Sequence, residues 1–185
     1  MSTQRGGGLM DRVPIVQSVV VGIVSYVVSF ALVAMVVAGM EDGDDLVGAA
    51  GNILYGAHFV DAKYTVSAGG QSQSETHNFI SESSLEAPEF LYQIIPIVVL
   101  LVAGIALVRY LEIPDETDAA IAGAALAIGY VVLTIVGTFV FELSDTQMGI
   151  TAEVVPKLGL MTVLLMGIVY PVVIGGIGGY VGSRL

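Results

Sequence analysis

Four stretches of the chain contain no charged residue and no histidine. A helix that crosses the hydrocarbon core of a bilayer needs about 20 apolar residues, at about 1.5 Å rise per residue. All four stretches are close to or above that length, and none alternates polar and apolar residues as a membrane β-barrel strand does. The pattern predicts an all-α membrane protein, a single domain built as a four-helix transmembrane bundle. The predicted spans are residues 13–40, 90–108, 119–141 and 158–183.

The first two predicted spans are separated by a long segment, residues 41–89, which carries nine of the 17 acidic residues. Asp44 or Asp45 can cap a short helix over residues 46–62, because an aspartate side chain satisfies free N–H groups at a helix start. The apolar stripe of that helix can lie either on the membrane surface or on the helix bundle.

The second half of this segment is polar and rich in serine and glutamine. Gly69 and Gly70 predict a turn, and residues 64–66 and 77–80 would pair across it as a short hairpin. The polar composition is equally typical of a disordered segment.

Positive charge near the helix ends predicts the orientation, since cytoplasmic loops are enriched in lysine and arginine. Four arginines flank the spans on the side of the N-terminus, and two lysines lie on the other side. The sequence therefore predicts a multi-pass protein of the cell membrane, with both termini in the cytoplasm and residues 41–89 extracellular. The residues are Arg5, Arg12, Arg109 and Arg184 against Lys63 and Lys157.

The chain is strongly acidic, with 17 acids against six bases and a net charge of −11. All the acids lie outside the apolar stretches, on both predicted sides of the membrane. Such a surface repels nucleic acid, which is bound through basic patches. Carboxylates on both sides favour a high-salt environment, in which salt screens their mutual repulsion, over an ordinary acidic outer domain.

The predicted spans hold no ionisable side chain, and the chain has no cysteine. Proton-coupled pumps need carboxylate or histidine relays within the membrane, and intramembrane proteases need paired catalytic groups there. The sequence also lacks a glycine-rich phosphate-binding loop after a strand. We therefore expect a protein that is not an enzyme and binds no cofactor or metal.

The strongest polar pair in the sequence is His58 and Asp61. On a helix these residues share one face, with Tyr55 one turn earlier. An imidazole and a carboxylate can form a weak outer metal site or a pH-sensitive pair. The competing interpretation is a structural hydrogen bond that ties the outer helix to the bundle.

Small residues mark two helix faces that can pack closely. Membrane helices associate through close backbone contact, because lipid supplies little hydrophobic force between them. We predict that the glycine face of the fourth span packs against the first span, with formation of a homodimer as the alternative. The packing residues are Gly175, Gly179 and Gly182 on the fourth span and Ser18, Gly22 and Ser25 on the first.

Two prolines within the spans, Pro96 and Pro171, predict helix kinks, because proline removes a hydrogen bond and clashes one turn back. Each precedes an arginine by thirteen residues, Arg109 and Arg184. This spacing is compatible with two parallel two-helix repeats and equally with a chance match between apolar helices.

Three short motifs carry a family resemblance. They are Arg5-Gly6-Gly7-Gly8, Asp11-Arg12-Val13-Pro14 and Tyr55-x-x-His58-Phe59-Val60-Asp61. They resemble a haloarchaeal family of uncharacterised four-helix integral membrane proteins, some of which carry an automatic transporter label. The resemblance implies a halophilic archaeal origin, but the motifs carry no mechanism.

We expect a scaffold or subunit of a membrane assembly, with the lipid bilayer and other membrane proteins or a second copy as partners. The alternative is a small transporter or channel component, which would need a polar lumen.

Overall fold

The computed structural model describes residues 13–39, 45–82 and 88–185. Arg5, Arg12 and Asp44 lie outside the described residues. In chain order the helices are α1 (Ile15–Ala38), α2 (Leu46–Ala57), α3 (Phe79–Glu82), α4 (Glu89–Tyr110), α5 (Glu116–Ala124), α6 (Leu126–Val140), α7 (Leu160–Thr162) and α8 (Gly176–Gly182), with two π-helical segments, Val163–Val169 and Pro171–Gly175, between the last two.

Within the described residues, four helical stretches are long and apolar enough to cross a membrane, which confirms the predicted number of spans. Their bounds agree with the predicted ones to within three residues. The first span is α1 and the second is α4. The third span, Glu116–Val140, consists of α5 and α6, and the fourth is Leu160–Gly182.

The two prolines lie in helical segments of different kinds. The second span continues as one helix through Pro96. The fourth span is π-helical on both sides of Pro171, and this wider coil accommodates a residue that cannot donate a helical hydrogen bond. The third span is interrupted at Ala125, a break that no proline in the sequence predicts.

Helix α2 begins as predicted, since the Asp45 carboxylate accepts a hydrogen bond from the backbone N–H of Gly48 at 2.9 Å. Every residue of α2 from Gly48 to Ala57 is buried. The helix packs between the first and second spans, so it lies on the bundle rather than on the membrane surface. Burial on all sides explains why its sequence is almost entirely small or apolar.

The end of α2 differs from the prediction, because the helix stops at Ala57 instead of residue 62. Phe59 adopts a positive φ of 60°, and its N–H donates to the carbonyl of Gly56 at 2.9 Å. The N–H of Val60 donates to the carbonyl of Tyr55 at 3.1 Å. This pair of bonds is a Schellman motif, which usually carries glycine where this chain has phenylalanine.

The expectation of an all-α protein is wrong, since the loops between spans build a four-stranded antiparallel sheet. β1 (Ala62–Ala68) and β2 (Gln71–His77) form the hairpin that the sequence left open between pairing and disorder. β3 (Leu143–Gln147) and β4 (Ile150–Pro156) form a second hairpin, which the sequence analysis missed. β1 pairs with β4, so the strand order is β2-β1-β4-β3.

Both hairpins have two-residue turns, Gly69-Gly70 and Met148-Gly149, with positive φ at all four positions. Such turns match the natural twist of paired strands. The hairpins follow the first and third spans, so they lie at the same end of the bundle, here called the sheet end. The chain enters the first span and leaves the fourth at the opposite end, here called the terminal end.

Glycines allow the third and fourth spans to touch along their backbones at the terminal end. A Cβ added to Gly179 would overlap the carbonyl oxygen of Ala119, and one added to Gly175 would meet the carbonyl of Gly123. These contacts correct the predicted partner, because the nearest neighbours of both glycines belong to the third span rather than the first. Small residues indicate a helix face that can pack closely, but the partner helix depends on the arrangement of the whole bundle.

The other predicted packing residues also meet different partners. Gly182 lies against Ile105 of the second span, and Gly22 of the first span lies against the backbone of Leu126 in the third. Ser18 and Ser25 are buried, and their hydroxyls donate to carbonyls of their own helix. The first span therefore packs closely against the third, and the fourth against the second and third.

Candidate functional site: a buried histidine network and an exposed sheet face

His58 is fully buried where α2 meets the third and fourth spans. Its Nδ1 lies 2.7 Å from the carbonyl oxygen of Leu54, and its Nε2 lies 3.0 Å from the hydroxyl of Tyr130. The imidazole also contacts the ring of Tyr170, with centroids 4.8 Å apart. Tyr130 is ten residues from the sheet end of the third span, about 15 Å along a helix. The four predicted spans contain no charged residue and no histidine, so the histidine inside the bundle comes from the end of α2.

The two hydrogen bonds define the tautomer of the imidazole. A carbonyl can only accept, so Nδ1 carries the proton and donates to Leu54, whereas Nε2 accepts from the Tyr130 hydroxyl. Burial lowers the pKa of His58 to about 4, and the backbone hydrogen bond to Leu54 opposes that shift only in part. His58 is therefore neutral at pH 7.

The predicted pair of His58 and Asp61 is not formed. Both imidazole nitrogens have other partners, and the Asp61 side chain is exposed beyond the end of α2. The i and i+3 relation holds only on a continuous helix, and the Schellman motif at Phe59 ends that helix before Asp61. Among residues 13–39, 45–82 and 88–185, no group of three or more His, Asp or Glu side chains converges as metal ligands would.

A second set of hydroxyls lies toward the sheet end of the network. Tyr55 of α2 donates to the carbonyl oxygen of Thr134 in the third span. The Tyr26 hydroxyl of the first span donates to that of Tyr55 at 3.5 Å, and the Tyr26 and Tyr130 rings pack edge to face at 5.1 Å. Through these contacts α2 is joined to the first and third spans, which makes it an internal brace of the bundle.

The polar residues that could line a transport lumen are closed off inside the bundle. Ser25, Tyr26, Ser29, Tyr130 and Thr134 are each at most 4% exposed. The Thr134 hydroxyl donates to the Tyr130 carbonyl at 3.0 Å, and the Ser25 hydroxyl to that of Val21 at 2.7 Å. Hydroxyls bonded to carbonyls of their own helix are satisfied locally and do not face a water-filled path.

The sheet carries its apolar side chains on one face of its two central strands. Residues paired across antiparallel strands point to the same face. Val66 and Ile150 are each 49% exposed, and Met148 in the adjoining turn is fully exposed. We call this surface the apolar sheet face; it comprises Tyr64, Val66, Ala68, Ile150, Ala152 and Val154.

The surroundings of the apolar sheet face are polar and acidic. Glu75 on β2 pairs with Tyr64, and Asp145 on β3 pairs with Ala152, so one carboxylate lies on each flank. Near the membrane the face is covered, since the ring of Phe79 stacks on Tyr64 with centroids 6.4 Å apart. The uncovered part is therefore the half that lies away from the spans.

The sequence provided partial evidence for the buried His58 network and for the apolar sheet face. His58 stood out as a polar residue in an apolar helix, but nothing local connects it to Tyr130, which is 72 residues away. Alternation of Ile150, Ala152 and Val154 with polar neighbours is the strand pattern that could have revealed β4.

Comparison with known proteins assigns a family but no activity. No curated protein and no solved structure matches this chain. One family model matches residues 1–185 and is described as a family of unknown function. The chain therefore belongs to this family of unknown function, DUF7978.

Proposed function

We propose that this chain is a non-catalytic multi-pass membrane protein that serves as a scaffold or subunit of a membrane assembly. The observation that carries this proposal is the apolar sheet face, with Val66, Ile150 and Met148 exposed at the sheet end. Single exposed apolar residues are common on any protein. A contiguous set on the central strands of a sheet is more typical of a contact surface.

The flanking charges indicate what kind of partner would fit. Glu75 and Asp145 border the apolar sheet face on its two sides. A partner that places apolar side chains on the face and Lys or Arg beside the two carboxylates would be complementary in both shape and charge. The partner in this proposal is another membrane-associated protein; a second copy would set like charges against each other.

The closed bundle supports a scaffold over the alternative of a small transporter or channel component. Transport would require the hydroxyls of Ser25, Ser29 and Thr134 to face a path through the bundle, and they are buried instead. The brace formed by α2, with His58 and Tyr55, further joins the spans that such a path would have to separate.

We place the sheet end outside the cell and the termini in the cytoplasm. The support is the arginine bias at the terminal end, including the described residues Arg109 and Arg184. The acidic surface is the reason for proposing a high-salt environment.

Charge introduced on the apolar sheet face should separate the protein from its assembly. The double variant Val66→Glu/Ile150→Glu places two carboxylates on the face beside those already present. We expect it to lose the higher-mass complex that the wild type forms when membranes of the native host are solubilised gently and run on a native gel.

The matched control is Ser67→Glu/Ser74→Glu, which places two carboxylates on the opposite face of β1 and β2, where neither position pairs with an acid. It should keep the complex. The proposal is wrong if both double variants keep the complex, or if the wild type migrates as a lone chain.

A further inference from the structure

A lateral groove opens between the first and second spans in the terminal half of the bundle. Its volume is about 810 Å³, within the range of about 300–1,000 Å³ typical of small-molecule sites. Valines and alanines form its walls, notably Val20, Val24, Val28, Val98, Val102 and Ala106.

The sheet half of the bundle is arranged differently. There α2 contacts both the first and second spans, with Tyr55 reaching Tyr26 of the first. In the terminal half the groove is lined by exposed valines of these two spans. The groove is therefore confined to one half of the bundle.

The length of the open half identifies what would fit there. Along the first span the groove extends from Val16 to Val28, which is about 18 Å on a helix. One leaflet contributes about 15 Å of hydrocarbon, half of the full thickness of about 30 Å. A partner transmembrane helix would need a groove along the full thickness, whereas a lipid chain needs one leaflet.

The two ends of the groove differ in polarity, as a lipid requires. Gln17 and Tyr110 line it at the terminal end, where the first span begins and the second ends. Both side chains are exposed, and Tyr110 is 85% exposed. An amide and a phenol at this level can hydrogen-bond a lipid headgroup, and aromatic residues favour that depth of the bilayer. The opposite end, near Val28 and Val98, is apolar apart from Ser25, whose hydroxyl donates to the Val21 carbonyl.

We infer that this groove is a binding site for one membrane lipid, whose hydrocarbon chain lies between the first and second spans and whose polar head contacts Gln17 and Tyr110. This site is independent of the apolar sheet face, so either proposal can fail without the other.

Filling the groove tests the inference. Ala106 is an exposed groove residue, so Ala106→Phe obstructs the site without overpacking the bundle. A lipid chain in the groove is held by van der Waals contacts with its two walls, so a side chain that removes several of these contacts should lower lipid occupancy at least about tenfold. The full chain is reconstituted in nanodiscs of phosphatidylcholine and phosphatidylglycerol, then released into mild detergent, and retained lipids are counted by native mass spectrometry.

We expect about one retained lipid per chain in the wild type and far less in Ala106→Phe. Val20→Trp, on the opposite wall, gives a second obstruction, and Ile177→Phe, on the exposed face of the fourth span, is the control that keeps the lipid. The inference is overturned by a wild type that retains no lipid, or by both obstructed variants retaining as much lipid as the wild type. A lipid-free dimer that the obstructed variants abolish would also overturn it and would make the groove a contact between chains.

Discussion

Replacing Gly179 by alanine is expected to destabilise the bundle by about 1–3 kcal/mol. The added Cβ would overlap the carbonyl oxygen of Ala119, a backbone atom that cannot rotate away. The third and fourth spans must then separate, and their backbones lose close contacts that substitute for a hydrophobic force in lipid. For a chain of this length we expect the melting temperature in detergent to fall by about 2–12 °C.

Gly176→Ala is the matched control, three residues away on the same helix. Its Cβ would lie 3.5 Å from the Ala120 carbonyl oxygen and 3.7 Å from the Ala124 Cβ, which are ordinary contacts. Because alanine favours a helix over glycine by about 1 kcal/mol in water, this variant should be neutral or slightly more stable. Equal melting temperatures for the two variants would refute close packing of the third and fourth spans.

Replacing His58 by phenylalanine is expected to cost about 2–6 kcal/mol at pH 7. The substitution leaves the buried Tyr130 hydroxyl and the Leu54 carbonyl without their partner, and each unsatisfied group costs about 1–3 kcal/mol. Asp61→Asn should have little effect, since the Asp61 side chain is exposed and apart from the imidazole. Thermal melting of the two variants beside the wild type is the measurement.

The stability difference between the wild type and His58→Phe should shrink in acid. His58 has a pKa of about 4 in the folded protein, below the ordinary value of 6.5. The unfolded chain therefore binds a proton first, and wild-type stability falls as the pH drops from about 6.5 to about 4. The variant lacks this titration. If the difference instead grows in acid, or if Asp61→Asn is as damaging as His58→Phe, the network around His58 is assigned incorrectly.

Features of the fold that depend on neighbouring residues were predictable from the sequence. Uncharged stretches of spanning length identify the four spans, because insertion into lipid depends on local composition. Asp45 was among the predicted caps of α2, since a capping bond closes within three residues. The turn at Gly69-Gly70 was also visible, because adjacent glycines favour positive φ.

Features that join distant parts of the chain were not predictable in this way. β1 and β4 pair Ala62 with Pro156, so the sheet exists only once four spans bring two loops to one end of the bundle. The end of α2 was hidden because phenylalanine, not glycine, occupies the left-handed position at residue 59. Gly179 was recognised as a packing residue, but its partner Ala119 is set by the arrangement of the whole bundle.

We propose that four spans place both hairpins on one side of the membrane and the short connection between the second and third spans on the other. Cysteine accessibility tests it most directly, because the chain has no cysteine of its own. Ser72→Cys reports the first hairpin and Met148→Cys the second. Thr117→Cys, in the first turn of the third span, reports the side of the membrane on which the connection lies, and all three positions are exposed. On intact cells an impermeant thiol reagent should label positions 72 and 148 equally and position 117 only after permeabilisation. Labelling of only one of the two hairpin positions, or of all three positions before permeabilisation, would contradict the four-span arrangement.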